Sequence, residues 1–234
     1  PFDDLEAEDW LDQIFSKDYL TASNYFMNIV VALQYARDFM GETRAGDLVE
    51  RLNIYARDTL LPRYASNSIF SGTITRSRRV KTVYHLLPTI LYDNHAISDN
   101  LRLDLIELTL GTQNCRGGYG VSVVSDACED MDSVYNLCVL KSSSLEGSVR
   151  KSLKGAMAYT TLNQNVDGGF VFRRFTPFCY GKCTQLSSMA DQSNLFGTWF
   201  RVLAYSYSDV ALNGVVDSPW RFSNIAGYQW LGRR

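Results

Sequence analysis

Apolar residues recur along this chain at intervals of three and four. Ala22, Phe26, Ile29, Val30 and Leu33 share one helical face, as do Leu48, Leu52, Tyr55 and Thr59. Val80, Val83, Tyr84, Leu87 and Leu91 predict another helix, which Pro88 kinks or ends early. Ser98 and Asp99 stand where cap residues precede a helix through Leu101, Leu105 and Leu108. Val149, Leu153, Ala156 and Thr160 make a further stripe. Asp191 opens the last, through Leu195, Trp199, Val202, Leu203 and Ser206. Period-two alternation is almost absent, so the pattern predicts an all-α class.

Two segments within this pattern are alike. One reads Leu110-Gly111-Thr112-Gln113-Asn114-Cys115-Arg116-Gly117-Gly118-Tyr119 and the other Leu162-Asn163-Gln164-Asn165-Val166-Asp167-Gly168-Gly169-Phe170. Gln113 and Gln164 are 51 positions apart, as are Gly117 and Gly168, and Tyr119 and Phe170. A weaker copy lies upstream, where Phe70 precedes Tyr119 by 49 positions and Val83-Tyr84-x-Leu86 precedes Val134-Tyr135-x-Leu137 by 51. The predicted unit is a helix, a Gly-Gly-aromatic turn and a second helix. Paired glycines let the chain reverse tightly after a helix. The Gln amides are placed to cap free groups at a helix end, and Tyr119 and Phe170 to fold back as aromatic plugs. A lone hairpin of this kind cannot bury its face. Neighbours must therefore stack, and successive pairs can close into a ring with one helix set inside and one outside.

The succession of apolar helix, Gln and Gly-x-aromatic resembles the QW-type repeat of the terpenoid cyclase and protein prenyltransferase superfamily, over roughly residues 64–210. The resemblance implies an α/α toroid, a ring or partial ring of helix hairpins whose inner helices line a central cavity. Residues 1–234 are then one domain. At 51 residues per repeat the chain holds between four and five helix pairs, fewer than the family's closed ring of six. Pro1 in place of Met fits the C-terminal part of a longer chain. Within Cys128-Glu129-Asp130-Met131-Asp132-Ser133, the run from Asp130 to Ser133 resembles the Asp-x-Asp-Asp acid motif of class II cyclases, with Ser133 in place of the last Asp. By that resemblance Asp132 is the acid that protonates an alkene or epoxide, and Glu129 and Asp130 are the neighbours that raise its pKa. Acidic residues at a helix start also serve as caps and offset the macrodipole. The zinc of the prenyltransferases is not expected, because Cys138 lies too far beyond Asp132 and neither His85 nor His95 falls in the last repeat.

Around this motif the candidate substrate-binding residues are Tyr84, His85, Tyr135, Trp199 and Arg79. His85 follows Tyr84 on an expected inner helix, where a satisfied core histidine is the competing reading. Arg76, Arg78, Arg79 and Lys81 form a basic cluster that fits either an oxyanion such as a diphosphate or a solvated face. The 14 Tyr, 12 Phe and 4 Trp serve equally to steady a carbocation, stack on a sugar or fill a core. Ser133 and Thr198 are 65 positions apart where 51 is expected. Fourteen extra residues between Val171 and Ala190, carrying Arg173, Arg174 and Lys182, thus read as a loop over the ring mouth.

Composition narrows the function. A net charge of −2 gives no drive toward nucleic acid or an anionic membrane, and no apolar run reaches the roughly 20 residues of a spanning helix. Five cysteines favour reduced thiols and a cytoplasmic protein, whereas a Cys179–Cys183 disulfide would suit secretion. The leading expectation is an isoprenoid-processing enzyme acting on a small apolar or diphosphate-bearing substrate. No cofactor is expected beyond Mg²⁺ to accompany a diphosphate. The alternatives are a carbohydrate-active toroid with paired carboxylates and a non-catalytic binding module. The sequence leaves the oligomeric state open.

Overall fold

The computed structural model describes Phe15 and residues 18–66, 73–180 and 183–222; at 73–74, 180 and 183–186 only the backbone is described. Helix α1 spans Tyr19–Met40 and α2 spans Arg44–Tyr55; a π-helical turn, Ala56–Leu60, then leads into the short α3, Leu61–Ala65. There follow α4 (Thr73–Tyr92), α5 (Asp99–Leu110), α6 (Ala127–Val139), α7 (Glu146–Thr161) and α8 (Leu195–Asn213). The all-α expectation holds for the body of the chain. A two-stranded hairpin, β1 (Phe178–Tyr180) with β2 (Cys183–Ser188), is the exception, and it lies in the segment expected to be an inserted loop.

The caps explain most of the boundaries. Ser98 accepts from the Leu101 amide at 3.4 Å and so starts α5 as expected. Pro88 does not end α4, which continues to Tyr92. Beside it the Thr89 carbonyl is engaged from outside, by the Gln34 amide at 2.9 Å and the Asn53 amide at 3.2 Å. The last helix begins later than Asp191: its N-cap is Asn194, which accepts from the Gly197 amide at 2.6 Å. Asp191 instead adopts a left-handed φ of 57° and accepts from the amide of Phe175, itself at φ 63°. These two residues form the neck of the inserted hairpin.

The helices pack in two rows. In one, α1 lies against α4, α4 against α6, and α6 against α8. In the other stand α2, α3, α5 and α7, each packed on helices of the first row and α3 and α7 also on α5. The row ends, α1 and α8, share no extended contact. Helix α6 touches α4, α5, α7 and α8, which is why 11 of its 13 residues are buried and why it organises the core. Along the first row runs a file of buried tyrosines from successive helices: Tyr84 meets Tyr135 edge-on at 5.3 Å, and Tyr135 meets Tyr207 at 5.6 Å. The matching Val-Tyr-x-Leu segments thus occupy equivalent places.

The repeated turn is the same structure twice. In each copy the Gln pairs with the aromatic residue six positions on, Gln113 with Tyr119 and Gln164 with Phe170. The Gln amide donates to a glycine carbonyl within the turn, at 2.9 Å for Gln113 to Gly117 and 3.0 Å for Gln164 to Gly168. The Gln side chains therefore close their own turns; Gln113 also reaches the Ser152 carbonyl on α7, at 2.8 Å. Tyr119 is fully buried and Phe170 nearly so, as the plug reading expects. The upstream Phe70 lies outside the described residues.

Candidate functional site

The site grows from the start of α6. Asp126 is its N-cap, accepting from the Glu129 amide at 2.8 Å while the Glu129 carboxylate accepts from the Asp126 amide at 3.2 Å. This reciprocal capping box fixes two of the acids before any ligand is considered. Glu129 also accepts from Ser77 Oγ at 3.2 Å, and Lys81 Nζ stands 3.9 Å from its Oε1 and 3.8 Å from Asp126 Oδ2. Arg173, from the insertion, reaches Asp126 at 3.1 Å and Glu129 at 3.5 Å. Glu129 is thus held by donors on every side. Burial and the nearby Asp126 still raise its carboxyl, against Lys81.

Asp130 points elsewhere. It accepts from the Tyr119 amide at 2.7 Å and Ser125 Oγ at 2.8 Å, and it pairs with Arg201 on α8. Arg201 in turn donates to the carbonyls of Ser125 at 3.1 Å and Phe172 at 3.0 Å. A carboxylate so engaged joins a turn, α6 and α8, and is a structural tie. Phe170 N–H makes the equivalent contact in the second copy, to Thr198 Oγ1 at 2.9 Å. Asp130 and Thr198 are therefore the matching positions, 68 apart, and the insertion is 17 residues long rather than 14.

Asp132 differs from both. It is buried, yet among the described residues neither carboxylate oxygen has a hydrogen-bond partner. Burial raises its carboxyl well above the ordinary value; Lys81 opposes this, while Asp126, Glu129 and Asp130 add to it. Ser133, in the place of a fourth acid, donates to the Glu129 carbonyl of its own helix at 2.8 Å. Lys81 remains charged: burial works against it, but Asp126, Asp132 and Glu129 together hold its pKa above the usual range. Cys128, one turn before Asp132, is partly exposed, and burial pushes its thiol well up.

The other expected site residues divide. His85 sits one turn beyond Lys81 on α4 and is partly exposed; burial and then Lys81 lower its imidazole to about 4. Trp199 is 41% exposed on α8. Tyr84 and Tyr135 belong to the buried tyrosine file, and the Tyr135 hydroxyl has no partner among the described residues. Arg79 is a correction. It donates to the carbonyls of Tyr64 and Ala65, both at 2.7 Å, and so serves the carboxyl end of α3. The basic cluster as a whole is not one face, since it lies inside α4 and fans outward: Arg76 reaches the Gly111 carbonyl, Arg79 reaches α3 and Lys81 faces the acids of α6. The side chains of Lys182 and Cys183 lie outside those described.

Sequence reasoning missed Asp126, Arg201 and Ser23, whose Oγ lies 2.9 Å from His85 Nδ1. The Asp126-x-x-Glu129 spacing before an apolar helix carried the first, as a capping box. A lone Arg within the apolar stripe of α8 carried the second, since a buried cation implies a buried partner. Nothing in the sequence marked Ser23. Among the described residues no three His, Cys, Asp or Glu side chains converge as a metal-binding group, and no helix is long and apolar enough to cross a membrane. A cavity of about 420 Å³ opens at the far end of α6, between Leu137, Cys138, Lys141, Val149, Arg150 and Ala211, away from the acids. Compared with known protein families, curated proteins and solved structures, the chain matches none of them.

Proposed function

We propose that the chain is a partial α/α toroid that processes isoprenoids by protonation, with Asp132 as the general acid. The observation that carries the reading is the condition of Asp132: a buried carboxyl, raised in pKa by that burial, with no hydrogen-bond partner among the described residues. Burial thus favours the protonated form of this carboxyl, and among the described residues no acceptor takes its proton, as alkene protonation requires. The two-row packing and the duplicated turn support the toroid. Aromatic Trp199 on α8 supplies a face of the kind that steadies a carbocation.

The roles of the neighbouring acids change within this reading. Glu129 sets the electrostatics around Asp132 and anchors α6, while Asp130 is a tie to α8. That also separates the reading from a carbohydrate-active site, which needs a second free carboxylate across the glycosidic bond. Asp126, Glu129 and Asp130 are each bound to donors.

The test is a product assay with linear isoprenoid alcohols, squalene and isoprenyl diphosphates, with and without Mg²⁺, on the chain and on Asp132→Asn. A cyclised product that Asp132→Asn abolishes is the expected result. A product unchanged by that substitution removes Asp132 from the chemistry. No conversion of any substrate by the folded wild-type chain overturns the proposed function.

A further inference from the structure

The cavity of about 420 Å³ at the far end of α6 lies between that helix, α7 and α8. Cys138 on its wall is 12 positions beyond Asp126, roughly 18 Å along a helix. The cavity is therefore separate from the acids, and what it binds does not depend on the proposed function. We propose that it is a binding site for a small aliphatic carboxylate, held with its tail inward and its head group at the mouth.

Burial sorts the walls into two ends. Leu137 of α6 and Leu153 of α7 are buried in the core and make the inner end apolar. Cys138, also buried, spends its S–H on the Tyr207 carbonyl at 3.5 Å and so makes no polar demand on a ligand. Lys141 and Glu146 are exposed and Arg150 is half-buried, which puts the charged groups at the opening. Among the described residues the Lys141 side chain has no ion pair or hydrogen bond. Arg150 donates to the Leu212 carbonyl, near the end of α8, at 3.1 Å. That bond steadies the guanidinium and leaves its other N–H groups free among the described residues.

An apolar inner end below a cationic mouth selects an amphipathic anion. Two cations, Lys141 and Arg150, stand with one carboxylate, Glu146, and leave a single positive charge for the ligand. A monocarboxylate neutralises that charge, whereas a doubly charged phosphate monoester would be repelled by Glu146. The planar fork of Arg150 matches the two oxygens of a carboxylate, and Lys141 adds a point charge. The tail supplies the remaining affinity. Each methylene moved from water onto Leu137, Val149 and Leu153 should tighten binding about fourfold. The volume is near the low end of the roughly 300–1,000 Å³ of small-molecule cavities, so the chain is short.

Calorimetric titration of the whole chain at pH 8 tests this, with hexanoate, octanoate, octyl phosphate and octylammonium as probes. Octanoate should bind at one equivalent, on the order of tenfold tighter than hexanoate. Octyl phosphate should bind more weakly than octanoate, and octylammonium not at all. Two variants locate the site. Ala211 is exposed on α8 at the cavity wall, so Ala211→Phe should fill the space and abolish binding without lowering Tm. Lys141→Glu, at an exposed position, should weaken octanoate by on the order of tenfold. Failure of octanoate to bind, equal affinity for hexanoate, equal uptake of octylammonium or tighter binding of octyl phosphate each overturns the proposal. Octanoate bound unchanged by the folded Ala211→Phe variant overturns it too, by placing the ligand elsewhere. Should Ala211→Phe not fold, Lys141→Glu decides alone: unchanged affinity there removes the head group from the mouth and the proposal with it.

Discussion

Arg201 of α8 and Asp130 of α6 form an ion pair that is out of reach of solvent on both sides, and the same carboxylate receives the amide of Tyr119. One carboxylate therefore fixes the first turn, the central helix and the last described helix. Removing one partner of a buried pair leaves the other charge stranded, at a cost of about 3–5 kcal/mol. Arg201→Met should show that loss in urea denaturation. Adding Asp130→Asn should recover part of it, since the Asn oxygen still accepts from Tyr119 and Ser125 without a buried charge. A double variant that loses the sum of the two single effects would show that the groups are not coupled.

The two copies of the turn differ in what lies beside them. Gly117 and Gly168 both have left-handed φ, 96° and 84°. A Cβ on Gly117 would come within 2.3 Å of the Gly155 carbonyl on α7, whereas one on Gly168 meets nothing within 4 Å. Gly168→Ala should therefore cost only the backbone strain, about 1–2 kcal/mol. Gly117→Ala should cost clearly more, because α7 must move away. Equal losses in thermal or urea unfolding would contradict the close approach of turn and helix.

The duplicated turn was legible because it depends on local chemistry: a Gln that closes its own loop, a glycine at positive φ and an aromatic plug. The helices were legible for the same reason, through a period set by one buried face. Pro88 does not stop α4, which runs one more turn to Tyr92, where the Thr89 carbonyl, free at the helix end, is taken by Gln34 and Asn53 from two other helices. Asp191 misled because an acidic residue ahead of an apolar stripe reads as a cap. Its carboxylate is instead taken by Phe175 across the neck of a hairpin. Arg79, Glu129 and Asp130 carried the right chemistry for a site, but which way each points is decided by tertiary partners distant in the chain. Asp132 differs from them in having no hydrogen-bond partner among the described residues, which no spacing in the sequence could show.

Lys81 is the cation shared by the acid cluster, and its removal should be felt at Glu129. Burial and Asp126 already raise that carboxyl while Lys81 opposes them. In Lys81→Met the Glu129 pKa should rise further, read by carboxyl ¹³C titration in the two proteins. An unchanged titration would place the ammonium in solvent, away from Glu129.

Asp132 should also leave a mark on stability that is independent of any substrate. Its folded-state pKa lies well above the 3.8 of an unperturbed Asp, because burial disfavours the charged form. Between those two values the folded chain holds a proton that the unfolded chain releases. The unfolded state then binds fewer protons, so stability falls as pH rises from about 4 toward the folded pKa. Below about 4 both states are protonated and the penalty vanishes. Asp132→Asn cannot ionise and does not incur it. The substitution should thus be close to neutral for stability at pH 4 and stabilising at pH 7, by on the order of 1–3 kcal/mol, or a few degrees in Tm for a chain of this size. Thermal unfolding of both proteins at the two pH values decides it. A variant no more stable than wild type at pH 7 would mean that the Asp132 carboxylate is solvated or paired, and the argument for its acidity would fail with it.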